Sequence, residues 1–444
     1  ITPRDFKGKA FAPVIPSFQY AYNKGKWSFQ ANFALTGGGG KCTFDDGLGS
    51  FEKIVSETAI AACGLAGVVD QTLGNTLGQQ GMEMFTSDQA FGKTGKYSFN
   101  SYMHGRQYYY GLSVGAAYKF CDNFSAFLGV RGVYALTNYY GYVENINVGN
   151  MPLYKVLDPT KENAANIELS CDQTGVGFTP IIGVDYKTGR WNFSAKYEFK
   201  TRIRLKNKSV NQTPSIGNLP ANLANQMTGI LTAKYQQAGL PLEQAKQQAE
   251  NTTNTVLSDP KVGATMMGLK TQFDQKLNKA IGEYEDGKKI AGDIPGYLAL
   301  GIGYSPVDAV RVNVGFHWFD DKNATSYNNR NKELKRGTLE YNAGVEVDVN
   351  KKITLSTGWQ NTNYGLSDEY MDDKSFVVGS NSAAIGGVYH INKKMDLNVA
   401  YFHTFYQHKK TSETVQLAAD KSIVYNSDYT RNNNVFAVGL DINF

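Results

Sequence analysis

The 444-residue sequence predicts an all-β fold: a fourteen-stranded antiparallel transmembrane β-barrel, one domain over residues 1–444, with a helical extracellular insertion. Three observations predict it. The first is alternation, clearest from Val176 to Leu205. One arm sets Trp191, Phe193, Ala195, Tyr197, Phe199, Ile203 and Leu205 against Asn192, Ser194, Lys196, Glu198, Lys200, Arg202 and Arg204. The preceding arm sets Val176, Phe178, Pro180, Ile182, Val184 and Tyr186 against Gly177, Thr179, Gly183 and Asp185. Successive strand side chains point to opposite faces, so this hairpin, turning at Lys187–Arg190, has one apolar and one ionic wall. A soluble sheet would hide the apolar wall. Here aromatics near the strand ends, and a length close to the ~9–11 residues of a tilted membrane-crossing strand, favour apolar residues outward in lipid.

The second observation is that short turns alternate with long loops, the asymmetry of barrels with periplasmic turns and extracellular loops. The third is bulk composition. Mean hydropathy is −0.38 and no apolar run of about 18 residues exists, so no transmembrane helix is predicted; a barrel needs none. With 28 Tyr, 24 Phe and 46 Gly, the chain suits many strands with aromatic girdles and small lumen residues. A formal charge of +5 is too small for this length to suggest nucleic acid.

Taken in order, Phe11–Tyr22 and Trp27–Leu35 form the first hairpin. Gly37–Gly40 then release the chain into a long extracellular loop over 37–100, with a short amphipathic helix at Phe51–Cys63. Tyr108–Phe120 and Phe124–Leu136 pair across Cys121-Asp122-Asn123, and the hairpin described above follows. The strand pattern vanishes over 207–292. There Leu223, Met227, Ile230 and Leu231, then Met266, Leu269, Phe273, Leu277 and Ile281, recur at helical spacing. Strands resume as Ile294–Tyr304 with Ala309–Phe319, Thr338–Val347 with Ile353–Trp359, and Ala383–His390 with Asp396–Tyr406, before the terminal NNVFAVGLDINF. This makes thirteen. Single-chain bacterial barrels have even numbers, so an ascending strand is expected ahead of residue 1; a strand near Val415–Tyr425 is the alternative.

Cys42, Cys63, Cys121 and Cys171 form no CxxC pair, and a Cys42–Cys63 bridge is expected to pin the first long loop. His104, His317, His390, His403 and His408 are scattered without metal spacing, and no nucleophile elbow or phosphate loop is present. No metal, cofactor or enzymatic activity is expected.

Several segments resemble the long-chain fatty acid transporter (FadL/TodX-type) barrels: FAPVIPS (Phe11–Ser17), GGGGKCTFDDGLGSFE (Gly37–Glu52), DIPGYLALGIGYSP (Asp293–Pro306), GWQNTNYGLSDEYMDDKSF (Gly358–Phe376) and LNVAYFHTFY (Leu397–Tyr406). The likeness covers nearly all of the chain, and these segments specify fold more than ligand. Barrels of this type carry an N-terminal hatch segment with an Asn-Pro-Ala turn, which is not found here. The resemblance implies uptake of long-chain fatty acids or similar hydrophobic molecules through the outer membrane of a Gram-negative bacterium. The ligand would be caught in an apolar extracellular groove and released through a gap in the wall. Met227, Ile230, Leu231, Met266, Met267, Leu269 and Phe273 are candidates for that groove, since methionine adapts to varied shapes. The bland reading has them simply packing the loop helices together.

Lys196, Lys200, Arg202 and Arg204 make a basic ladder, with Arg131 and Arg311 nearby, and are candidates for a fatty-acid carboxylate. Its bland counterpart is neutralisation by Glu198, Glu340, Glu346 and Asp185. Expected partners are a hydrophobic small molecule or lipid, membrane lipids and lipopolysaccharide. The rival function is a barrel serving as a structural or partner-binding subunit of a larger outer-membrane assembly, with other outer-membrane proteins as partners.

Overall fold

The computed structural model describes residues 3–214, 216–418 and 421–444. Its elements in order are β1 (Gly8–Phe11), β2 (Phe18–Lys24), β3 (Trp27–Phe44), α1 (Gly49–Leu77), β4 (Tyr97–Lys119), β5 (Phe124–Val148), β6 (Met151–Pro152) and α2 (Tyr154–Leu157). Then come β7 (Ile167–Thr188), β8 (Trp191–Glu198), β9 (Arg204–Gln212), α3 (Leu219–Gln237), α4 (Leu242–Leu257), α5 (Pro260–Ile281) and β10 (Lys289–Ala291). The last third holds β11 (Tyr297–Val307), β12 (Val310–Phe319), β13 (Arg336–Asn350), β14 (Ile353–Gly365), β15 (Ser380–Asn392), β16 (Met395–Tyr406), β17 (Lys409–Ala418), β18 (Lys421–Tyr429) and β19 (Asn432–Ile442).

Antiparallel registers join β2, β3, β4, β5, β7, β8, β11, β12, β13, β14, β15, β16 and β19 in that order, thirteen wall strands among the described residues. With an odd number of alternating strands, β2 and β19 run the same way, and no antiparallel register links them. The Val415–Tyr425 stretch is not a missed wall strand. Its described residues, up to Ala418 and from Lys421, lie in β17 and β18, which among the described residues pair with each other as a separate hairpin.

The wall is apolar outside. Phe178, Leu128, Ile385 and Val438 are 64–77% exposed on faces whose alternate residues point inward. Such exposure is untenable in water for so large a belt but fits lipid. Turns at one rim are tight, and Gly25 (φ +61) and Gly189 (φ +53) supply the left-handed conformation that two of them require.

The other end carries a cap with an ordinary hydrophobic core. α1, α3, α4 and α5 pack around Val55, Ala59, Val69, Met227, Leu231, Val256 and Val262, against Val143, Ile146 and Val148 of β5. α1 is far longer than the expected Phe51–Cys63 helix. Its buried Val55, Ala59, Ala62, Ala66, Val69 and Leu73 form one continuous stripe, and Gly78 closes it in a left-handed cap (φ 67).

Four local expectations are corrected. Phe11–Tyr22 is not one strand: Phe11 ends β1, which pairs with the upper part of β3, Pro13 and Pro16 lack the N–H a ladder needs, and β2 begins at Phe18. Gly37–Gly40 do not release the chain into a loop. β3 runs on to Phe44 through two bulges, and a side chain at Gly38 (φ +72) would collide with the Gln107 carbonyl. β4, β5 and β7 extend well above the expected strands, where polar outward residues meet water. Cys42 and Cys63 are not bridged; all four cysteines are free thiols, and Cys63 donates to the Phe91 carbonyl from within α1.

Candidate functional site

Two spaces among the described residues bear on function. The first is a small apolar cavity of about 40 Å3 inside the cap, walled by α1 (Ala62, Leu65, Ala66, Val69), by Phe85 and Phe91, by Leu153 and Val156, and by Leu219, Leu223, Leu269 and Phe273. Of the expected groove residues, only Leu269 and Phe273 line it. Met227 and Leu231 are fully buried in the same core. Met266 packs at its edge. Ile230 and Met267 face outward, at 39% and 72% exposure. The α1 contribution was missed because the helix was drawn too short. The Ala/Val/Leu spacing from Val55 to Leu73 was the available signal.

Polar contacts fasten the cap around this cavity. Asp373 accepts the backbone N–H of Ser50 at 2.6 Å, satisfying an orphan donor at the start of α1. Burial pushes the Asp373 carboxyl up, with Asp372 beside it acting the same way. Lys374 of the same loop donates to the Ala280 carbonyl at the end of α5 (3.3 Å). The β17–β18 hairpin is strapped to α1 by Lys53–Glu413 (2.9 Å) and by the Ser56 and Tyr425 hydroxyls (3.4 Å). Glu57, buried in α1, pairs with Lys276 of α5.

The second space is the lumen, about 860 Å3, lined by Gln30, Asn32, Ser113, Arg131, Asp185, Asn192, Ser194, Lys196, Glu198, Asn313, His317 and Asn342 among others. Its cations are paired with acids, and Asp185 accepts from Asn192. Glu198 receives both Arg131 and Lys196 (2.9 Å). Arg311 bonds Glu346 and Asp348, the latter at 2.6 and 2.8 Å. Glu340 takes His317, Gln360 and Thr362. Near the turn rim, His390 lies between Asp396 (2.7 Å) and the Thr354 hydroxyl (3.0 Å). That order resembles a relay, but the Thr354 proton goes to Asp348 (2.7 Å), so the hydroxyl is a bridge in the ion network. Among the described residues, no group of three His, Cys, Asp or Glu could hold a metal ion.

The basic ladder divides. On β8 the odd residues face out and the even residues in, as the alternation predicts, and Lys196 points into the lumen. The strand then breaks at Phe199. Ile203 and Leu205 are buried on Val133 and Ala135 of β5, while Arg202, Arg204, Lys206 and Lys208 are exposed. The apolar face has moved from outside to inside. Crossing makes this possible: Thr201–Arg204 passes over the inner surface of β7. A Cβ on Gly177 would lie 2.6 Å from Thr201 Cγ2, and one on Gly175 2.8 Å from Ile203 Cγ2. Beside this crossing the β8 ladder on β7 stops at Ile181 and the β9 ladder starts at Thr174. Arg202 and Arg204 alternate with these buried residues and are exposed beyond the end of β8. Arg204 pairs with Asp293 at 2.8 Å, and Lys200 donates to the Asn323 carbonyl at 2.9 Å.

Lipid-facing wall, polar lumen and helical cap together define a membrane-spanning β-barrel with a covered mouth. No family profile and no curated protein matches the sequence. Among solved structures it is similar to a FadL homologue of Pseudomonas aeruginosa, at 14% identity and TM-score 0.55, over 96% of this chain and 78% of that one. It is also similar to the P. putida toluene transporter TodX (12%, TM-score 0.49, 98% and 87% covered). The Ralstonia pickettii toluene transporter TbuX gives 12%, TM-score 0.46, and 96% and 80% covered. The chain has the FadL/TodX-type barrel fold.

Proposed function

We propose that this protein is an outer-membrane channel for uptake of hydrophobic small molecules. The observation that carries the reading is the wholly apolar cavity in the cap, held over a polar lumen by side chains from α1, α3 and α5. At about 40 Å3 it is smaller than any hydrocarbon cargo, so capture requires the helices to part. The helices share an apolar core pinned at its edge by charged and hydroxyl contacts, so opening would part that core and release those contacts. The lining of this cavity offers no cation. Apolar cargo such as monoaromatics thus fits the cap better than a fatty-acid carboxylate. Long-chain fatty acids remain the finer alternative, with lumen-lining Lys196 and exposed Arg202 and Arg204 as candidates for the carboxylate.

The test is uptake of radiolabelled toluene and palmitate into cells carrying the native chain or a cavity-filled Ala66→Phe chain. Toluene uptake that depends on the protein and falls in the filled variant supports the reading; uptake equal to that of cells lacking the barrel sinks it. A second reading, the partner-binding subunit, is favoured by the ion-pair networks at Glu198 and Arg311 in the lumen. Native mass spectrometry of protein gently extracted from its membrane separates the two. A stoichiometric protein partner with no hydrophobic ligand favours the subunit.

A further inference from the structure

The face reversal leaves an unexplained group of cations. Lys206, Lys208 and Lys289 lie on the outward face above the lipid belt, and no acidic or carbonyl partner is found for them among the described residues. Lys206 is directly opposite Lys289 in the β9–β10 ladder. Like charges opposite one another on one face of a sheet are destabilising, so something must compensate the pair. A second such pair occurs on the same exterior, where Lys41 of β3 is opposite Arg106 of β4. Neither of these two has a partner either. The acids near this face are engaged with other groups: Asp172, opposite Lys208, accepts from Asn138 at 2.7 Å, Glu168 from the Tyr140 hydroxyl at 3.2 Å, and Asp286 from the Ser209 N–H at 2.8 Å.

The height of the group is fixed by register. Lys206 is opposite Thr174 of β7, two residues above Val176, which is 63% exposed in the lipid belt. At ~3.3 Å per residue, the ammonium groups stand within roughly 10 Å of the hydrocarbon edge. The Lys41–Arg106 pair is in the row of Asn138, Asp172 and Lys208, one pleat higher. Across β5 and β7 the two pairs are about 14 Å apart, at ~4.8 Å per strand. This is the layer occupied by headgroups of the outer leaflet. A water-facing surface alone gives no reason to set cations in opposed pairs, whereas a phosphate between two ammonium groups turns their repulsion into a clamp.

We infer that this exterior face binds a phosphorylated glycolipid of the outer leaflet, with Lys206 and Lys289 clamping one phosphate, Lys208 beside them, and Lys41 with Arg106 forming a second clamp. The site is outside the lumen and the cap cavity, so it stands or falls apart from the uptake reading.

The experiment is native mass spectrometry of the full chain in detergent, titrated with bisphosphorylated lipid A, with its dephosphorylated form and with inorganic phosphate. The comparison is with K206Q/K289Q/K208Q, and with K24Q/K26Q/K187Q, which removes equal charge at the opposite rim. The native chain and the rim variant are expected to hold phosphorylated lipid A, and the clamp variant to bind it roughly 30–100-fold more weakly. Thermal unfolding adds a second readout. Without lipid at low salt, the clamp variant should melt at or above the native temperature, because repulsion has been removed; with lipid A it should melt below. Equal lipid binding by native and clamp variants overturns the proposal, as does equal loss in the rim variant. Binding of inorganic phosphate or of dephosphorylated lipid as tight as that of lipid A overturns it too.

Discussion

β8 and β9 are consecutive on one chain, share one alternating pattern, and use it in opposite senses. Along β8, Trp191, Phe193 and Tyr197 face lipid and Lys196 and Glu198 face the lumen. Along β9, Leu205 is buried and Lys206 and Lys208 are exposed. The solvent outside the wall decides the sense. Where lipid surrounds the barrel, the apolar face is stable outward; above it water surrounds the same wall, and the apolar face is stable only against other protein. A period-two pattern therefore specifies that a strand has two unlike faces, and the medium specifies which is which.

The cap is the limiting case, with apolar residues inside and no lipid at all, and it gives the largest expected effect. Leu231→Ala, at 1% exposure, should destabilise the cap by about 2–5 kcal/mol. Limited proteolysis should then cut α3–α5 early while the wall strands stay protected. Simultaneous loss of both would show that cap and wall are one cooperative unit. A paired substitution tests the comparison directly. Leu128→Arg, on the lipid-facing wall, should cost about 2–4 kcal/mol in a bilayer unfolding assay. Val210→Arg, 81% exposed on β9, should stay within about ±0.5 kcal/mol. Similar costs at both sites would place β9 in the membrane.

What the sequence made legible follows from this. The wall hairpins, their tight turns and the matched charges at Glu198 and Arg311 were readable, because alternation with turn residues is local information. Helical spacing in 207–292 was readable for the same reason. The face reversal after Phe199 was not, because only Thr201 interrupts the apolar series from Trp191 to Leu205, and the crossing depends on Gly175 and Gly177 of the neighbouring strand. The cap cavity was half legible. Leu269 and Phe273 were identified from α5, but α1 was cut short at Cys63, where small residues weaken the stripe without ending it.

The crossing itself is the next thing to break. Gly177→Ala introduces a methyl group where Thr201 Cγ2 and the Arg202 carbonyl lie within 2.8 Å, and backbone has little room to yield. A cost of about 1–3 kcal/mol is expected, together with displacement of Thr201–Arg204 inward, away from β7. A spin label at Arg202 would report that displacement as a change in distance to one on β5. An unchanged distance with unchanged stability would mean that the segment does not rest on β7.

The smallest effect expected is the pH response of the cap. Asp373 has a carboxyl raised by burial, and Glu283, also buried, is raised as well. A raised carboxyl favours its neutral form in the folded state. Its contribution to stability is full below the ordinary value of 3.8 and is lost as pH rises through the raised one. Glu413 and Asp368 act in reverse, because Lys53 and Lys409 hold them down and their ion pairs weaken on acidification. The whole-cap profile thus mixes two signs, and only a difference isolates Asp373. Asp373→Asn keeps an acceptor for the Ser50 N–H and removes the titration. Protection of α1 from proteolysis should rise in the variant at neutral pH, and the gap to the native chain should close as pH falls toward 4. A gap that is constant with pH would mean that Asp373 acts through shape alone, and that the medium-dependent balance governing the wall does not extend into the loop that closes the cap.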